Sequence, residues 1–183
     1  MHTTITTPIR PRVPHREFSA AKSGPSVPAN EGTKIEISTT IHRTPEELFQ
    51  FWRNFENLPR VMKNIQSVEC VDSKHSHWKV PVREGKTVEW DAEIINERPN
   101  EMLAWRTLEG SDVQHAGSVW FTASEDGSGT DVKLAVEYTA GKVADFLAKI
   151  FHRSPYPQLR EDLRNFKLIM EAGGIAAANP QSP

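Results

Sequence analysis

Between Thr87 and Leu108 the chain reads TVEWDAEIINERPNEMLAWRTL, and Val88, Trp90, Ala92 and Ile94 alternate there with Glu89, Asp91 and Glu93. This period of two marks a strand with one buried and one wet face. A turn at Arg98-Pro99-Asn100 leads into Met102 to Leu108, where Leu103 and Trp105 share a face. Beyond Glu109-Gly110-Ser111 the pattern returns with Val113, His115, Val119 and Phe121 inward. Ile35, Ile37, Thr39 and Ile41 alternate with polar neighbours as a first strand from Lys34. Further strands are predicted over Gln66 to Asp72, His75 to Val82, Lys86 to Glu97, Met102 to Leu108, Val113 to Ala123 and Thr130 to Thr139, joined by short turns such as Glu125 to Gly129.

Two other stretches follow a helical period. Thr44-Pro45-Glu46-Glu47 has the form of a capping box with proline at the first helical position, and Leu48, Phe49, Phe51 and Trp52 supply the apolar face behind it. Asn54 to Pro59 breaks that helix before a second short segment ending near Lys63. After Ala140-Gly141, Phe146, Leu147, Ile150 and Phe151 fall near one face, and Leu159, Leu163, Phe166 and Met170 continue it. Ser154-Pro155-Tyr156-Pro157 interrupts this long helix, and Gly173-Gly174 stops it. Its apolar stripe needs a surface to cover, and the concave sheet is the one available.

At 183 residues, 37% hydrophobic and 25% charged, the chain fits one domain with a sizeable core. Residues 1–32, rich in Pro, Ser and Thr, are expected to stay disordered, as are residues 175–183; the folded domain is expected over 33–174. Arg10, Arg12 and Arg16 faintly resemble a transit segment, but the prolines around them oppose an amphipathic helix. A net charge of −2 gives no electrostatic reason to expect nucleic acid as a partner. No apolar run is long enough for a membrane span and no signal-peptide core is present, so a cytoplasmic protein is expected, with peripheral membrane or protein contact left open. The lone Cys70 excludes an internal disulfide and is expected to pack as a small core residue.

Asn54-Phe55-Glu56-Asn57-Leu58-Pro59, Trp90 to Ile94, the Pro99 turn, Ala104-Trp105-Arg106-Thr107, Ala116 to Val119 and Arg160 to Lys167 together resemble the polyketide cyclase/dehydrase, or coenzyme Q-binding-like, family of the START-like, birch-allergen-like helix-grip (SRPBCC) superfamily. The resemblance spans about Lys34 to Gly174 and rests on the order of these phrases. It implies an α+β helix-grip fold: a curved seven-stranded antiparallel sheet wrapped around a long C-terminal helix, with two short helices after strand one. It also implies a cavity between sheet and helix for a lipid, quinone or polyketide-like ligand, with no cofactor.

Residues expected to line that cavity are Trp78, Trp90, Trp105, His115, Val119, Phe121, Val136, Tyr138, Phe151, Leu163, Phe166 and Met170. Plain core packing is the favoured role for most of the tryptophans, with Trp90 and Trp105 the candidates set apart for the cavity wall. Trp120 is expected on the opposite face. No phosphate loop, nucleophile elbow or zinc-binding cysteine set occurs, which favours a non-enzymatic carrier over a cyclase/dehydratase-type lyase. Were it a lyase, His115, Tyr138 or Glu97 would orient or protonate a ligand carbonyl. His75 and His77 lack a third ligand at recognisable spacing, so no metal is expected. Glu89, Asp91 and Glu93 read as a solvated row facing Lys79 and Arg83, with Arg106 also facing water. Arg160, Glu161, Asp162, Arg164 and Lys167 read as the outer side of the last helix, where a protein partner is a third functional possibility.

Overall fold

The computed structural model describes residues 32–82, 85–111, 113–139 and 155–173. Strand β1 (Gly32–Ile41) runs into helix α1 (Pro45–Arg53) and a 3-10 helix (Phe55–Arg60). Strands β2 (Ser67–Cys70), β3 (His75–Pro81), β4 (Thr87–Arg98), β5 (Met102–Thr107), β6 (His115–Ala123) and β7 (Thr130–Thr139) follow, and helix α2 (Pro155–Glu171) comes last. All strand pairs are antiparallel, in the order β1-β7-β6-β5-β4-β3-β2. The expected α+β helix-grip arrangement stands. Of the expected first segment only Gly32 is described, and it opens β1; its other residues, the expected last segment, and Phe146, Leu147, Ile150 and Phe151 lie outside the described residues.

Local chemistry sets the element boundaries. The Glu47 backbone N–H donates to Thr44 Oγ1 at 3.3 Å, and Glu47 Oε2 accepts from the Thr44 amide at 3.0 Å, completing the capping box. Asn54 closes α1 and caps the 3-10 helix by accepting from the Glu56 amide at 3.1 Å. Pro155 and Pro157 fall in the first turn of α2, where amide donors have no intrahelical partner, so they begin the helix there. Gly173, at φ 118°, ends it.

One end of the core is filled by rings. Phe166 of α2 is fully buried, with ring centroids 5.1 Å from Phe51 and 5.2 Å from Trp52 of α1. Phe121 of β6 meets Phe49 edge-on at 6.1 Å. Arg43, just before α1, donates through Nε to the Met170 carbonyl at 2.8 Å and through Nη2 to the Glu171 carbonyl at 3.3 Å. A cation thus satisfies the orphan carbonyls at the negative end of α2.

Several expectations need correction. Cys70 is exposed: β2 is a short edge strand that buries Val68 alone. The alternation of β4 breaks at a bulge between Ile94 and Asn96, which leaves Ile95 51% exposed and turns the end of the strand to solvent. Glu97 therefore points away from the interior, and its Oε1 accepts from Arg53 Nε at 2.7 Å. Asp162 is buried instead of lying on the outer side of α2.

Gly117 is required by its cross-strand partner. It pairs with Trp105, and a Cβ at this position would run into the indole six-membered ring. The variant Gly117→Ala should lose about 1–3 kcal/mol of stability, the usual cost of overpacking a filled core, measured by denaturant unfolding. Wild-type stability in this variant would mean that the ring does not rest on the glycine.

Candidate functional site

Away from the ring-filled end, the sheet and α2 line a half-open cavity of about 90 Å³. Its walls come from β3 (Trp78, Val80), β4 (Trp90), β5 (Trp105), β6 (His115) and β7 (Leu134, Val136, Tyr138), with Val113 beside them. Leu58, Met62, Asn64 and Ile65 follow from the 3-10 helix and the loop after it, and Leu159 and Asp162 close the space from α2. All of these are buried except Asn64 and Ile65, which are half-buried and form its rim.

Strand register stacks the aromatic wall. Trp78 and Trp90 are direct cross-strand partners, nearly parallel at 14° with centroids 6.0 Å apart. Phe55 braces Trp78 at 5.4 Å and Trp105 at 5.7 Å from the 3-10 helix. The His115 ring stands edge-on to Trp90 at 5.4 Å and tilts against Tyr138, its register partner on β7, at 6.0 Å.

The polar atoms in this wall fall into two groups. Trp78 Nε1 donates to Ser76 Oγ at 2.8 Å, and the His115 backbone is fixed by Thr107, whose Oγ1 accepts from the His115 amide at 3.1 Å. His115 Nδ1 and Trp105 Nε1 are buried with no hydrogen-bond partner among the described residues. Such groups are rare in native interiors and call for an explanation. Burial holds the His115 imidazole well below its usual pKa, at about 4, so the ring is neutral at physiological pH. The Tyr138 hydroxyl is pushed upward by burial and, secondarily, by the charge of Asp162.

Asp162 is the residue that the sequence reading misplaced. It is 4% exposed, and burial raises its carboxyl to about 6, against the opposing effects of a hydrogen bond from Gln158 and one from the Lys63 backbone. Gln158 Nε2 donates to its Oδ1 at 2.9 Å. A usable signal existed: Asp162 lies three residues after Leu159 and four before Phe166, on the apolar stripe.

Of the expected lining residues, the structure brings together Trp78, Trp90, Trp105, His115, Val136 and Tyr138. Val119, Phe121, Leu163, Phe166 and Met170 are buried but do not border the cavity, because they pack the end of the core that faces α1 or the close of α2. Phe151 lies outside the described residues. Glu97 takes no part, being paired with Arg53 on the surface.

On the convex face, His77 lies 2.7 Å from Asp91 and 3.0 Å from Glu89, and Lys79 also pairs with Glu89. Arg106, half-buried instead of freely solvated, donates through Nε to Glu93 at 2.6 Å. The acidic row is thus paired across the strands. No group of three or more His, Cys, Asp or Glu among the described residues is placed to hold a metal ion. No helix among them is long and apolar enough to cross a membrane.

Comparison with known proteins agrees with this geometry. A family model described as polyketide cyclase / dehydrase and lipid transport matches residues 41–164. A solved structure from Deinococcus radiodurans is 33% identical, with a TM-score of 0.64, covering 77% of this chain and 98% of that one. An uncharacterised 17.2 kDa protein of Streptomyces lincolnensis is 30% identical over 144 residues, 76% of this chain and 88% of its own length. The Zhui aromatase/cyclase of a Streptomyces species shares the fold at 16% identity, with a TM-score of 0.61 over 79% of this chain and 99% of its own.

His115 and Asp162 titrate in opposite senses over the same pH window. The Asp162 carboxyl, raised from 3.8 to about 6, makes the folded state less stable as pH rises through that interval. The His115 imidazole, lowered from 6.5 to about 4, makes it more stable as pH rises from about 4 to 6.5. Each effect is on the order of 3 kcal/mol at about 1.4 kcal/mol per pKa unit, so they largely offset in the wild type. Relative to wild type, Asp162→Asn should gain stability as pH rises across this window and His115→Gln should lose it, measured by chemical denaturation. Parallel profiles for the three proteins would show that neither group is shifted by burial.

Proposed function

Because the chain belongs to the polyketide cyclase / dehydrase and lipid transport family, we propose that it binds a hydrophobic, planar small molecule between the sheet and α2. The observation that carries this reading is the pair of buried polar atoms without described partners, His115 Nδ1 and Trp105 Nε1, on residues of an otherwise apolar wall. A ligand bearing one or two polar atoms supplies what they lack, while tryptophan faces take its rings.

The cavity volume of about 90 Å³ sets the scale of the buried part. It exceeds the space for a single water several-fold, yet lies below the ~300–1,000 Å³ of pockets for drug-sized ligands. One ring or head group therefore enters the closed end, and the rest of a larger ligand passes the half-buried Asn64 and Ile65. Met62 beside them is the adaptable side chain at that rim.

A titration with naphthalene, followed by tryptophan emission, tests the reading. Saturable quenching is expected, and Val136→Phe, which fills the cavity from β7, should weaken it at least tenfold while keeping a cooperative unfolding transition. Quenching that never saturates, or that is indifferent to Val136→Phe, would refute binding at this place.

A second reading, a dehydratase-type activity, draws support from the titratable groups lining one apolar cavity. A carboxyl near 6 can give a proton at neutral pH, and a neutral imidazole can accept one. Loss of water from a cyclic β-hydroxy ketone should then be accelerated by the wild type and reduced at least a hundredfold in Asp162→Asn. Equal rates with and without protein would rule that chemistry out for this substrate.

A further inference from the structure

We propose that the ligand's buried end carries a protonated amine, held by Asp162 inside the aromatic wall of Trp78, Trp90, Trp105 and Tyr138. This rests on the ligand-binding reading above and names the chemistry of its polar end.

The charge inventory of the cavity supports it. Among the described lining residues there is no lysine or arginine, and the titratable ones are His115, Tyr138 and Asp162. His115 is neutral at physiological pH and Tyr138 keeps its proton, so the site carries either one negative charge or none.

Among the described residues the positive charge acting on Asp162 is that of Lys63, and burial outweighs it. From α2 it meets Gln158, which is neutral, and Glu161, which adds a second negative charge nearby. From the loop after the 3-10 helix comes Lys63, whose side chain is 67% exposed and pairs with Glu161 at 3.1 Å, so its charge acts on Asp162 only weakly. From β7 the Tyr138 hydroxyl feels its charge, and His115 of β6 lines the same cavity. A carboxylate has about four acceptor sites, and Gln158 and the Lys63 amide occupy only part of them.

A protonated amine answers each of these features. Its N–H groups donate charge-assisted hydrogen bonds to the carboxylate, which are roughly twice as strong as neutral ones. Indole is the best side-chain partner for a cation, and a desolvated cation over aromatic rings gains about 2 kcal/mol or more. The imidazole offers a further acceptor in place of a competing charge. A carboxylate-bearing ligand, by contrast, would meet Asp162 with like charge. A cavity of about 90 Å³ has room for an ammonium end carried on one ring.

Benzylamine, benzyl alcohol and benzoate have the same ring and nearly the same size but differ in charge, so they separate the possibilities. Isothermal titration calorimetry with each should give benzylamine at least tenfold tighter than benzyl alcohol at pH about 7, and no binding of benzoate. Between pH about 5 and 7 the benzylamine affinity should rise about tenfold as Asp162 ionises, with benzyl alcohol unchanged. Asp162→Asn should abolish both the preference and the pH dependence while benzyl alcohol still binds. Benzyl alcohol binding as well as or better than benzylamine overturns the amine assignment and leaves the hydrophobic site standing. Binding by none of the three overturns both.

Discussion

A curved sheet with tryptophans on its concave face can persist in water only if something apolar covers that face, and here the cover is α2. Its stripe of Leu159, Leu163, Phe166 and Met170 is buried along its whole length. Burial of this kind contributes ~25 cal/mol for each Å² of apolar surface removed from water. The rest of the architecture fixes where the cover lands. Phe166 docks on Phe51 and Trp52, Arg43 holds the carbonyls at the end of the helix, and Lys167 Nζ donates to the Thr40 carbonyl at 2.8 Å. Helix α1, itself set by its capping box, is therefore the template on which α2 is positioned.

The cover is complete at one end and incomplete at the other. Near α1 large rings fill the space; toward β3 and β4 the chain places Asp162 on α2 and His115 on β6, and neither packs as a hydrocarbon would. Both sit where water cannot stabilise their charged forms, and burial drives both toward neutrality, the acid by raising its pKa and the imidazole by lowering it. A sequence selected for stability alone has little reason to line one apolar cavity with both a buried acid and an imidazole. That departure from good packing is what distinguishes a site from a core.

Much of this was legible in the residues. Alternation placed seven strands within a few positions of their observed ends, because a one-residue slip would turn every large side chain to water. The tryptophans at 78, 90 and 105 and the pair His115 and Tyr138 were found on the correct face for the same reason. Glu97 was misjudged because a bulge at Ile94 to Asn96 resets the period, and a bulge leaves no mark in a pattern of apolar residues alone. Asp162 was misjudged because charged residues flank it on both sides, and composition outweighed its place on the helical wheel. Phe121 and Phe166 were read as cavity walls because periodicity gives the face and not the position along it; which end of the groove α1 fills depends on tertiary packing.

The central claim is that an acid lies inside the apolar cavity, where burial outweighs the Lys63 charge. Carbon-13 NMR of the Asp162 carboxyl carbon through a pH titration measures this directly. The account predicts a midpoint near 6, well above that of the solvent-exposed aspartates of the same chain. A midpoint near 4 would place the carboxyl in water and contradict it.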